Sequence, residues 1–273
     1  MNVYWRELRA NLRSVILWCV GIFLFVAASM GKYSAMAGTG QSGADLMASL
    51  PTALQAIFGV GSLDFTRALG FFGMIFPYLL LMAAIHASML GAGILSKEER
   101  DRTSEFLYVR PATRSQILTA KLLAALTYVV VLNLVTWAGS LALVGHYAVP
   151  GEPVGVSIAR LMAGMFFVQI LFLSIGIAAA AVLKQPRAST GVATGVMLAT
   201  YVLSVAIDVN GRINWVKGFT PFEYFDAKLI IGPEKSGQTG LGLNGWYVAL
   251  CVGLAAALTA AAYASFRRRD LRV

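Results

Sequence analysis

Apolar and polar positions follow one another along this chain in long blocks. Six blocks, residues 15–35, 69–95, 117–145, 157–183, 189–208 and 245–266, carry almost no charge. Each is near or above the roughly 20 helical residues that cross a bilayer core. None alternates with period two, which excludes a transmembrane β-barrel. In lipid a helix satisfies its own backbone groups. The pattern predicts an all-α integral membrane protein, with residues 1–273 forming a single six-span transmembrane domain. No soluble domain and no internal repeat is visible.

The stretches between the blocks have patterns of their own. Tyr4, Leu8, Leu12 and Val15 recur at helical spacing, while Arg6, Arg9 and Arg13 occupy other faces. This predicts an N-terminal amphipathic helix lying at the inner membrane surface; the alternative is an unstructured basic tail. The following apolar run with "AAS" at 27–29 also admits a signal-peptide reading, but it is long for one, and an uncleaved first span fits better. In the loop after span 1, Pro51 can start a short re-entrant or interfacial helix carrying Leu54, Ile57 and Phe58. The loop before span 6 is rich in aromatics. Trp215, Phe219, Phe222, Tyr224 and Phe225 suit a segment lying at the interface.

Composition sharpens the class. Of 273 residues 58% are hydrophobic and 13% charged, about half the ~25% charge of a soluble chain. The net charge of +9 is one-sided. With six spans, the side holding both termini carries 15 of the 22 basic residues and 6 of the 13 acidic ones. The excess assigns that side, and both termini, to the cytoplasm. It also favours anionic lipid, and no nucleic-acid partner is needed to account for it.

Candidate chemistry is sparse. There is no GxxxxGK[ST] phosphate loop, hence no nucleotide-binding domain, and no zinc signature; no metal ligands are assigned. Cys19 and Cys251 lie inside apolar spans and form no redox motif. His86 and Ser88 are two residues apart on one helix and face different ways, which argues against a Ser–His hydrolase. His86, Asn133 and Gln169 are the polar residues deep within spans; they read either as a pathway or as helix packing. "GVATG", Gly191 to Gly195, is a close-packing motif, within one subunit or between two.

The most informative polar stretch is "SKEERDRTSEFLYVRPATRSQILTAK", Ser96 to Lys121. Ser96 and Glu99 make an S-x-x-E capping box after span 2. Thr103 or Ser104 can cap a second short helix, with Glu105 in its first turn. Pro111 stops that helix, and Thr113 and Gln116 form a T-x-x-Q box ahead of span 3. The isolated helix, residues 104–110, presents Phe106, Leu107 and Val109. A helix this short needs outside support: lipid, the rest of the chain, or a docked partner.

The same stretch resembles the cytoplasmic loop of ABC-2-type transporter permeases, whose pattern is roughly E-x-x-x-G-T-x-E-x-L-L-x-x-P-x-x-R-x-x-I-x-x-x-K. Glu98 or Glu99, Thr103, Glu105, Leu107, Pro111, Arg114, Ile117 and Lys121 match, and Arg102 stands where Gly is usual. "YWRELRANLRSVILW", "LPTALQAIFG" and "TPFEYFD" extend the resemblance over most of the chain. It implies a permease subunit, an exporter, in the bacterial plasma membrane, which hydrolyses no ATP itself. Expected partners are two copies of a separate ATPase, holding ATP and Mg, and a second permease copy or homologue. It further implies that the short helix is a coupling helix seated in an ATPase cleft, with Phe106 and Leu107 as knobs and Glu105 and Arg110 as their rim. Glu99, Thr103, Pro111 and Arg114 complete that coupling set, and Arg6, Arg9 and Arg13 belong to an inner-surface connecting helix. The competing classes are an ATP-independent carrier or channel and an intramembrane enzyme.

Overall fold

The structure is a computed structural model that describes residues 3–38, 51, 54–55, 63–100, 113–183, 186–231 and 243–268. Six long helices dominate it: α1 (Val3–Gly38), α2 (Ala68–Arg100), α3 (Arg114–Tyr147), α4 (Val154–Val182), α5 (Pro186–Val209) and α6 (Gly245–Arg268). All six are long and apolar enough to cross a membrane. The chain is an all-α, multi-pass membrane protein.

The helices form one bundle with α2 and α4 at its centre. These two pack on each other more extensively than any other pair; α4 also carries α6, and α1 lies mainly along α3. Their meeting face is made of small residues. A Cβ added to Gly91 would sit 2.3 Å from the Leu173 carbonyl oxygen, and one on Gly176 would sit 2.4 Å from that of Ser88. Only glycine allows this backbone approach. By contrast, Cβ atoms on Gly191 and Gly195 would meet nothing within 4 Å. The two glycines of "GVATG" therefore mark no close backbone approach among the described residues, although Ala193 between them is buried.

Two hydrogen bonds mark the end of the bundle where the 96–121 loop departs. Ser265 Oγ donates to the Ala181 carbonyl at 2.9 Å, and Thr119 Oγ1 lies 2.7 Å from Tyr263 Oη. These bring the end of α4 and the start of α3 against the end of α6. At the far end, Tyr33 Oη donates to the Thr66 carbonyl at 2.9 Å, and its ring touches those of Phe71 and Tyr147.

Three expectations need correction. The N-terminal stretch is not a separate surface helix but the opening turns of α1, which runs unbroken from Val3 to Gly38. No proline or glycine interrupts it before Gly21, so nothing ends the helix there. At about 1.5 Å per residue α1 is about 54 Å long, well beyond a core of about 30 Å. Its buried face carries Glu7, Val15, Ile22, Val26, Met30 and Tyr33; Leu12 is exposed. Second, the Ser96–Glu99 box does not form. The α2 helix continues to Arg100, and Ser96 Oγ bonds back to the Ala92 carbonyl at 2.6 Å. Neither proline nor glycine occurs between Gly93 and Arg100. Third, the aromatic segment before α6 divides. Trp215 and Phe219 are exposed, while Phe222, Tyr224 and Phe225 are buried. Two helical turns, Pro221–Tyr224 and Ala227–Ile230, fold them inward. Phe225 packs over Gly164, where an added Cβ would come within 2.8 Å of it. Phe222 meets Phe172 and Tyr201.

The α3 start follows its sequence signal. Thr113 Oγ1 accepts from Gln116 N, and the Gln116 side chain accepts from Thr113 N at 3.0 Å, a complete capping box. Of the turn expected at Pro51, the described part is helical in hydrogen bonding: Leu54 N and Gln55 N both donate to the Pro51 carbonyl.

Candidate functional site

At the loop-bearing end, a charged joint gathers α1, α2 and α3 around Glu7. This carboxylate is fully buried, with 0% of its side chain exposed. Its Oε1 lies 3.3 Å from Arg6 Nη2 and 3.4 Å from Lys121 Nζ, and its Oε2 accepts from Lys97 Nζ. Lys121 is itself buried, and its Nζ donates to the Ile94 carbonyl at 2.6 Å. Burying an ionised group costs several kcal/mol unless partners compensate. Here one anion is shared by three cations, two of them on different helices, which makes the position of α1 sensitive to both. Two further contacts pin the same turn. Tyr128 Oη donates to the Leu8 carbonyl, and Tyr4 Oη lies 3.0 Å from Thr127 Oγ1.

Local sequence places these groups. Ile117, Leu118, Lys121, Ala124, Ala125 and Tyr128 form the buried stripe of α3, so helical spacing carries Lys121 inward among apolar neighbours. Lys97 sits in the last turn of α2, one turn beyond Ile94. The joint therefore holds both flanks of the 96–121 loop. Of the expected coupling residues, Arg114 is the first residue of α3, next to the Thr113 cap. Thr103, Glu105, Phe106, Leu107, Arg110 and Pro111, with the side chain of Glu99, lie outside the described residues. Arg6 belongs to the joint; Arg9 and Arg13 point outward from α1.

The three intramembrane candidates fall in two places. Asn133 Nδ2 donates to Gln169 Oε1 at 3.2 Å and to the Met162 carbonyl at 3.1 Å, tying α3 to α4. His86 on α2 is buried and meets Trp18 of α1 edge to face, with ring centroids 5.6 Å apart. No described residue hydrogen-bonds its Nδ1.

A second polar cluster lies at the far end, between α5 and the two helical turns. Asp208, Glu223 and Asp226 bring carboxylate oxygens within 4.8 Å of one another. Lys228 Nζ lies 2.6 Å from Asp208 and 3.3 Å from Asp226, so an ammonium supplies positive charge to the group. Asp226 also caps its turn, accepting from Lys228 N at 3.0 Å. Glu223 is 5% exposed; it accepts from Ser204 Oγ at 2.8 Å and lies 3.6 Å from Lys217. Burial raises the Glu223 pKa, and the Ser204 hydrogen bond only partly opposes it. Burial by itself lowers that of Lys228, but Asp226 and Asp208 outweigh it and the net direction is up. A cavity of about 40 Å³ adjoins, lined by Pro77, Tyr78, Tyr201, Asp208, Glu223 and Lys228. It is large enough to hold water.

The six-helix bundle agrees with a comparison of the whole chain: a model of ABC-2 family transporter proteins matches residues 1–271. This chain belongs to the ABC-2 transporter family. No curated protein matches it. As an ABC-2 protein it is a membrane-spanning permease, the transport subunit of an ABC transporter. The permease's charged joint had a sequence signal that apolar-block counting passes over. Lys121 interrupts an i, i+3, i+4, i+7 apolar stripe, and Glu7 flanks the face set by Tyr4 and Leu8. The far cluster was less legible, because Glu223 sits among aromatics that suit an interface as well as a core.

Proposed function

We propose that this permease exports its substrate across the bacterial plasma membrane, driven by two ATPase subunits docked on the 96–121 loop, with a second permease copy or homologue completing the transporter. ATP and Mg are bound by the ATPases, since this chain carries no phosphate loop. Both termini face the cytoplasm, in line with the 15 basic residues on their side.

The observation that carries the reading is the joint. A loop that receives a push is effective only if its flanks are tied to the spans, and Lys97 and Lys121 tie them through one buried carboxylate. Phe106 and Leu107 are the knobs that enter the ATPase, and Glu105 and Arg110 form their rim. Such apolar anchors within a charged surround are typical of docked partners.

The test is to purify the permease from its native membrane and identify co-purifying chains. A P-loop ATPase is expected with the wild type and lost with Phe106→Asp, while membrane insertion stays normal. A wild-type permease that transports with no ATPase bound supports an ATP-independent carrier instead. The orientation has its own check. Cysteine at position 104 is expected to resist an impermeant maleimide in intact cells, and cysteine at position 237 to react; the reverse labelling would place the loop outside.

A further inference from the structure

Glu7 sits at one end of a continuous rod. From Glu7 to Tyr33, α1 runs without a break, about 39 Å at about 1.5 Å per residue. Both ends of this rod are fixed by polar contacts and its middle by apolar ones. At the loop-bearing end Glu7 holds Lys97 and Lys121, and Tyr128 holds the Leu8 carbonyl. At the far end Tyr33 donates to the Thr66 carbonyl, just before α2 begins, and packs against Phe71 and Tyr147. Between them Val15, Ile22, Val26 and Met30 are buried.

The two lysines belong to different helices: Lys97 stands in the last turn of α2 and Lys121 about two turns into α3. Any displacement of the loop that moves the end of α2 or the start of α3 moves an ammonium bonded to Glu7. A buried carboxylate follows its counter-charges, because separating them leaves charge unpaired in a low-dielectric setting. Apolar contacts along α1 have no comparable directionality.

We infer that Glu7 is a positioning residue through which motion of the 96–121 loop is passed to α1 and along it to the Tyr33 end of the bundle. The inference rests on reading the loop as the ATPase dock. It assigns α1 the role of a transmission rod, and Glu7, Lys97 and Lys121 the role of its clamp.

The test uses the permease–ATPase complex in lipid nanodiscs, with Cys19 and Cys251 replaced by Ala and one reporter, Ser34→Cys, an exposed position on α1 one residue beyond Tyr33. The rate of maleimide modification is compared between nucleotide-free and vanadate-trapped complexes. In the otherwise wild-type chain the rate is expected to differ several-fold between the two states. With Glu7→Gln the ATPase is expected to stay bound and hydrolyse ATP, while the two rates become equal. Where Glu7→Gln fails to assemble, Lys97→Met keeps the buried Glu7–Lys121 pair and is expected to reduce the difference. Exchanging the charges, Glu7→Lys with Lys121→Glu, keeps one anion among three cations and an ion pair between α1 and α3, and is expected to restore it. A nucleotide-dependent rate that persists undiminished in Glu7→Gln or Lys97→Met overturns the inference. So does a wild-type rate indifferent to nucleotide, although a bound, active ATPase would still support the docking reading. Absence of any ATPase overturns the docking reading and this inference together.

Discussion

Gly91 of α2 and Gly176 of α4 meet backbone to backbone, with no room for a Cβ on either. The nearest atoms to such a carbon are main-chain atoms of the opposite helix: Leu173 O for Gly91, and Ser88 O and Ala92 N for Gly176. Main-chain atoms do not rotate away, so a larger residue must push the two central helices apart. Overpacking of this kind costs about 1–3 kcal/mol or more. Gly176→Leu is expected to lower the thermal unfolding temperature in detergent markedly. Gly93→Leu, whose Cβ meets nothing within 4 Å, is expected to be tolerated and gains helix propensity. Equal melting of the two variants would disprove the close approach.

Asn133 Nδ2 donates to Gln169 Oε1 across α3 and α4, and the buried Gln169 Nε2 finds no partner among the described residues. Asn133→Leu alone removes the donor to the buried Gln169 Oε1, at a cost of about 1–3 kcal/mol. The double change Asn133→Leu with Gln169→Leu is expected to recover most of that loss and to leave ATP hydrolysis by the assembled transporter unchanged. Melting curves and hydrolysis rates of the three proteins check this. A double variant that melts normally but has lost function would point to a pathway.

Glu223 offers a pH signature. Its pKa is raised by burial, so the folded state binds its proton more tightly than the unfolded state does. The contribution of this group to stability is fully present below the ordinary value of 4.5 and is lost as pH rises through the raised folded value. Glu223→Gln keeps an acceptor for Ser204 and has no charge to bury. The melting temperature of Glu223→Gln minus that of the wild type is therefore expected to grow as pH rises from 4.5 towards neutrality. A difference that is flat, or that shrinks, would mean that Lys217 compensates the charge fully.

The six helices were legible because each had to be apolar over a bilayer's thickness, and no other requirement erases that signal. The Thr113–Gln116 cap was legible because both residues serve the backbone beside them. What stayed hidden depends on partners distant in sequence. Glu7 reads as one acid among arginines until Lys97 and Lys121 arrive from two other helices. Phe222 and Phe225 read as interfacial aromatics until Phe172 and Gly164 receive them. The continuity of α1 was missed because an amphipathic start looks alike on a membrane surface and against α3.

The most direct measurement of the account is a photo-crosslink from position 106. With a photoreactive amino acid in place of Phe106, illumination of native membranes is expected to join the permease covalently to a P-loop ATPase. Glu105→Arg in the same chain is expected to weaken that product. Crosslinks from position 106 to lipid or to the permease alone, with no ATPase adduct, would contradict the claim that the loop between α2 and α3 is where ATP-driven motion enters the protein.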